Sequence, residues 1–144
     1  MLSAKSILYP MMAMVLLTAI VSIVMYRRRV AEMRARRIPP QEVASAAAMA
    51  ARLEDTGAAD NFRNLFETPV LFYAAVLTIY ATRITDPLYV GLAWLYVAAR
   101  VVHTVIHATS NVVLTRIKAF LLGWVVIWIL WGLIAWDLIV VGKS

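Results

Sequence analysis

The sequence predicts an all-α integral membrane bundle of four transmembrane helices, one domain over residues 1–144, and three observations lead there. The 144 residues are 63% hydrophobic and only 15% charged. Mean hydropathy is +0.80. A soluble domain is typically about half apolar and about a quarter charged. This much apolar surface cannot all be buried inside one small globule, so lipid is the expected solvent. Four apolar runs are each long enough for a membrane helix, and basic residues concentrate beside them. Transmembrane strands need only about ten alternating residues, and these runs are twice that length and apolar on all sides.

The first span is expected at residues 6–26, about the length that crosses a hydrocarbon core of roughly 30 Å at 1.5 Å per residue. Arg27-Arg28-Arg29 closes it. A cleaved leader carries its positive charge before the apolar run, whereas here the charge follows it, so an uncleaved helix is expected. Residues 27–60 form a polar, basic loop that Pro39-Pro40 interrupts. Its Ala-rich stretch, residues 41–55, predicts a short helix ended by Gly57. The second span is expected at residues 61–82, followed by the tight turn Arg83-Ile84-Thr85-Asp86-Pro87. The third is expected at residues 87–108, then a turn over residues 109–116. The Trp-rich fourth span is expected at residues 118–141.

Arg27, Arg28, Arg29, Arg34, Arg36, Arg37, Arg52, Arg63, Arg116 and Lys118 fall on one side of this arrangement. Lys5, Arg83 and Lys143 fall on the other. The positive-inside rule places the first group in the cytoplasm and both termini outside it. The net charge of +6 is therefore read as membrane orientation, and no nucleic-acid partner is expected. The chain has no cysteine, which excludes disulfides, thiolate metal sites and a cysteine nucleophile.

Charged groups within spans are costly, about 2.5–3.5 kcal/mol each at the helix centre on insertion scales, and usually face the bundle interior. On the second span, Arg63, Asn64 and Glu67 share one helical face by their spacing of three and four. One reading is an interfacial Arg63 paired with Glu67; the other is a ligand site to which Asn64 adds a donor and an acceptor. On the third span, Arg100, His103 and His107 form a single stripe. Arg100 lies roughly 12 Å from the helix end, too deep for a boundary residue, and is open to a buried pair with Glu67. No further metal ligand accompanies the two histidines, and two His four apart cannot bind both faces of one haem, so no metal is expected. Arg116 and Lys118 open the fourth span, Lys118 as a flanking charge. A bundle brings these groups together as a basic pocket at the cytoplasmic end. It suits a small anion that also carries an amine or amide: a tripeptide with two carboxylates, a nucleotide or a lipid head group.

These residues resemble the MAPEG family, the membrane-associated proteins of eicosanoid and glutathione metabolism. Arg63-Asn64-Leu65-Phe66-Glu67-Thr68-Pro69 is similar to its second-helix signature, Arg-Asn-x-x-Glu followed shortly by Pro. Arg100-Val101-Val102-His103-Thr104 resembles its third-helix Arg-x-x-His-Thr, and Arg116 stands sixteen residues beyond, where an Arg recurs. The resemblance covers roughly residues 60–140. It implies four helices per subunit, a homotrimer and glutathione sites between neighbouring subunits. It also implies that Arg63, Asn64, Glu67 and His103 hold glutathione or brace the site, that Arg100 is a bundle arginine, and that Arg116 stabilises the glutathione thiolate. His107 stands where catalytic members carry a glutathione-contacting Tyr, Ile117 where a prostaglandin-forming member has Ser, and Phe120 where an aromatic hydroxyl is found.

The leading expectation is a glutathione transferase or peroxidase acting on a lipophilic small molecule that reaches it from the bilayer. The alternative is a non-catalytic relative that binds lipids or membrane partners, which the lost hydroxyls favour. A small four-helix efflux transporter is a third reading. It calls for an acidic coupling residue in the first helix, and residues 6–26 contain none. Arg outnumbers Lys eleven to three, a bias of GC-rich bacterial genomes, so a bacterial inner membrane is expected ahead of an endoplasmic reticulum.

Overall fold

The computed structural model describes residues 3–54, 57–84, 86–109 and 112–140. Asp55, Thr85, Ser110, Val141 and Lys143, which the expectations above include, lie outside the described residues. Every regular element among them is helical: α1 (Leu8–Ala35), α2 (Ala46–Arg52), α3 (Gly57–Asn64), α4 (Thr68–Ala81), α5 (Pro87–Ala108) and α6 (Val113–Val140), with short 3-10 turns at Ala4–Ile7 and Pro40–Val43. Four stretches have the length and apolarity to cross a membrane: Ala4–Ala35, Ala59–Ala81, Pro87–Ala108 and Val113–Val140.

Helix α1 runs nine residues past its expected end. The arginine run terminates the hydrocarbon-compatible stretch but not the helix, because Arg is a good helix former. At 28 residues, α1 is about 42 Å long and overshoots the hydrocarbon core. Its hydroxyls are satisfied inside the helix, Thr18 donating to the Met14 carbonyl at 2.9 Å and Ser22 to the Thr18 carbonyl at 2.7 Å.

The loop helix differs from expectation. The 3-10 turn Pro40–Val43 comes first, and α2 restarts at Ser45, whose side chain accepts from the Ala48 N–H at 3.1 Å as an N-cap. Leu53 is extended and ends α2, so Gly57 opens α3 rather than closing the loop helix. The segment is folded back on α1 by Glu32, which accepts from Arg36 at 3.0 Å and from the Glu54 N–H at 2.7 Å. Arg36 also donates to the Arg52 carbonyl at 2.8 Å.

The second span is not one helix. It breaks over Leu65–Glu67 between α3 and α4. Pro69 sits in the first turn of α4. A proline lacks the N–H for the ladder and its ring clashes with the carbonyl four residues back, here Leu65. Into the break the chain tightens to three-residue bonds, Leu65 N–H to the Phe62 carbonyl and Phe66 N–H to the Arg63 carbonyl. The third span matches its expected bounds. Asp86 caps it, accepting from the Leu88 N–H at 2.8 Å, with Pro87 in the first turn. Helix α6 begins five residues before the expected span, which places Arg116 inside it along with Lys118, already expected there.

The core lies where α1, α4, α5 and α6 meet, around Met14, Phe72, Val76, Ala93, Tyr96, Ile127 and Leu130. Phe72 and Tyr96 stack at 4.5 Å with planes 12° apart. Two polar links tie the helices at depth: Tyr96 and Thr68 hydroxyls at 3.1 Å, and Trp131 Nε1 donating to the Leu71 carbonyl at 3.2 Å. At the opposite end, Tyr89 donates to Asp137 at 2.6 Å. The outer faces remain apolar, with Leu16, Leu114 and Trp136 all more than 60% exposed. Such a surface demands lipid, and the chain is an integral multi-pass membrane protein.

Candidate functional site

The break in the second span shapes the basic end of the bundle. Helix α3 packs against α5, and Arg100 of α5 fastens its last residue. Arg100 is fully buried and donates through Nη2 to the Asn64 carbonyl at 2.6 Å, capping the C-terminus of α3. A cation at this end also meets the negative pole of the helix. The guanidinium carbon lies 5.6 Å from the centroid of Phe120 on α6. Three helices are thus joined through one side chain.

Above Arg100 opens a cavity of about 390 Å³, lined by Asp60, Arg63, Asn64, Glu67, His103, His107, Arg116, Ile117 and Phe120. Six of the sequence-selected residues meet here: Arg63, Asn64, Glu67, His103, His107 and Arg116. Arg100 does not line the cavity; it stands behind the wall and fastens it. The expectation that Arg63, Asn64 and Glu67 share one helical face is corrected, because α3 ends at Asn64 and Glu67 lies in the break. Arg63 instead approaches Asp60 at 3.9 Å, and Arg100 donates to the main chain of Asn64 rather than pairing with Glu67.

The histidines form the floor. Their rings lie 5.7 Å apart and almost perpendicular. His103 also lies 5.7 Å from Phe120. Arg116 Nη1 approaches His107 Nε2 at 3.4 Å. A guanidinium only donates, so Nε2 accepts and a neutral ring carries its proton on Nδ1. Nδ1 of both histidines is buried with no hydrogen-bond partner among the described residues. Buried polar atoms of this kind are normally satisfied, so the floor holds unused hydrogen-bonding capacity.

Asp60 was not singled out from the sequence, where it falls at the edge of the loop. Its signal was the three-residue spacing to Arg63, readable only once α3 is known to begin at Gly57. The finished cavity combines two guanidinium groups, two carboxylates, one amide and two imidazoles. It can hold a small zwitterion that has both carboxylate and amine groups.

An apolar bundle of four spans with charged groups converging at one end defines a multi-pass membrane protein with a polar cleft bordering the bilayer. The sequence pattern of the MAPEG family matches residues 7–136, and the chain belongs to that family. Membership assigns it in general terms to membrane glutathione-related enzymes or to lipid metabolism. No curated protein and no solved structure matches the chain.

Proposed function

We propose that the protein is a glutathione-dependent membrane enzyme that conjugates lipophilic electrophiles or reduces lipid peroxides. The observation that carries this reading is the meeting of Arg63, Asn64, Glu67, His103, His107 and Arg116 around one cavity at the basic end of the spans. Arg63 and Asn64 suit the carboxylates and amides of the tripeptide, and Asp60 or Glu67 its amine. The free thiol titrates near about 8.5, and only the thiolate is nucleophilic. A guanidinium held beside it in a low-dielectric site stabilises the anion, which is the role assigned to Arg116. In conjugation the thiol loses its proton to solvent and the thiolate sulfur bonds to an electrophilic carbon. The leaving group of that carbon departs with its bonding pair, or its opened double bond takes up a proton. In peroxide reduction the sulfur takes the terminal peroxide oxygen as the O–O bond breaks to leave the alcohol. A second glutathione displaces water from it to give the disulfide, so two thiols supply the two electrons. Phe120, Trp124 and Trp128 descend α6 at ring separations of 6.3 and 6.0 Å. That line supplies an apolar approach from the bilayer for the second substrate.

The reading includes a homotrimer with neighbouring subunits completing each site, the basic end in the cytoplasm, and a bacterial inner membrane. Glutathione binding to the detergent-purified protein tests it, followed by thiolate ultraviolet absorbance with Arg116→Ala as control. A saturable signal that vanishes in the variant is expected. No binding at millimolar glutathione would overturn the enzyme reading.

One observation favours a second reading, a non-catalytic lipid-binding member. Ile117 and Phe120 make part of the cavity wall apolar where catalytic members are expected to offer hydroxyls. Binding of a lipid analogue with no thiolate signal distinguishes it.

A further inference from the structure

A second, separate concavity lies on the other side of α3 and α5 from the cavity. It is a groove of about 190 Å³ between α1 and α5, larger than the ~150 Å³ apolar cavity that accepts benzene. Ile20, Val21 and Val24 form one wall, and Val105 and Ala108 the other. Ile20 and Val105 are each at least half exposed, so the groove opens sideways toward lipid. Its back is closed by Asn61 and Thr104, both buried. Their side chains approach at 3.5 Å and leave the floor without strong polar demand on an occupant.

Among the described residues, the charged group lining the groove is Arg28 at its mouth, beside Arg27 and Arg29. Arg28 donates to the Ala108 carbonyl at 3.4 Å across the mouth, from α1 to the last turn of α5. An apolar slot with a cation at its interfacial end matches an amphiphile with an anionic head and a hydrocarbon tail.

The geometry points to this groove as a binding site for one anionic phospholipid, its acyl chain between α1 and α5 and its phosphate on Arg28. Basic pockets between membrane helices favour such head groups, because the charge is met at the interface while the tail replaces weakly packed lipid. The site is independent of the glutathione reading. It shares no lining residue with the cavity, but Asn61 and Thr104 belong to two of the three helices that line it.

The test uses the full chain in phosphatidylcholine vesicles doped with phosphatidylglycerol of identical acyl chains, with retained lipid counted by native mass spectrometry. Wild type is expected to retain phosphatidylglycerol about fivefold over its share of the bilayer, the effect one interfacial arginine supports. Arg28→Gln is expected to abolish that preference while still retaining lipid. Val24→Trp fills the groove and is expected to lose both lipids; Val105→Trp tests the same groove from the facing helix if the first variant folds poorly. Leu114→Trp, on exposed α6 outside the groove, is expected to behave as wild type. Equal retention of the two lipids by wild type overturns the proposal. So does a preference that survives Arg28→Gln and either tryptophan variant, or a change of oligomer size in Val24→Trp, which would make the groove a subunit contact.

Discussion

Arg100 shows how one residue serves two purposes at once. Its sequence position marked it as buried and charged, and both are correct. Its partner was not legible, because the acceptor is the Asn64 main chain, freed only where the second span breaks. Nε and Nη1 have no partner among the described residues, so the side chain carries a large desolvation cost. Two effects compete on replacing it. Arg100→Met of similar length relieves desolvation but leaves the Asn64 carbonyl without its donor, a loss of about 1–3 kcal/mol. We expect a lower melting temperature and weaker glutathione binding together; a Met variant more stable than wild type would show that desolvation dominates and would sink the capping account. Arg116 and His107 were both readable as candidates, but their mutual contact at 3.4 Å required α6 to begin at Val113.

At the scale of elements, the break between α3 and α4 is the decisive feature. Apolar periodicity reads residues 61–82 as a single helix, and a hydropathy window has no term for the clash of Pro69 with the carbonyl of Leu65. Thr68 begins α4 immediately after the break, and its hydroxyl meets Tyr96 of α5 at 3.1 Å. This bond fixes the start of α4 on the bundle. Tyr96→Phe and Thr68→Val should each lower stability by about 0.5–1.5 kcal/mol, and the double variant should cost little more than either alone. Thermal melts of the four proteins check this; fully additive losses would show that the hydroxyls do not act together. Helices α1 and α6 extend beyond the expected spans for a common reason. Charge marks where hydrocarbon ends, whereas helix ends are set by caps and by breakers such as Pro39.

On the scale of the whole molecule, four spans bring the first and last described residues to the same end, opposite the cavity. The chain has no cysteine, so single introduced cysteines report topology directly. Ser45→Cys on the loop and Arg83→Cys at the other end should react with an impermeant maleimide from opposite sides of sealed vesicles, Ser45→Cys from the cytoplasmic side. Labelling of both from one side would overturn the four-span arrangement. Composition and hydropathy were sufficient for the membrane, the number of spans and the end that holds the charge, because lipid imposes its demand on every residue of a span independently of partners. Six polar residues of the cavity were also visible, since charge at hydrocarbon depth is rare and stands out in one dimension. Tertiary structure alone decided which of them share the cavity, that Arg100 fastens its wall from behind, that Asp60 belongs to it, and that an apolar groove lies behind it. Those outcomes depend on helix rotation, on one proline break and on contacts across tens of residues, and a sequence pattern carries none of these until the helices are packed.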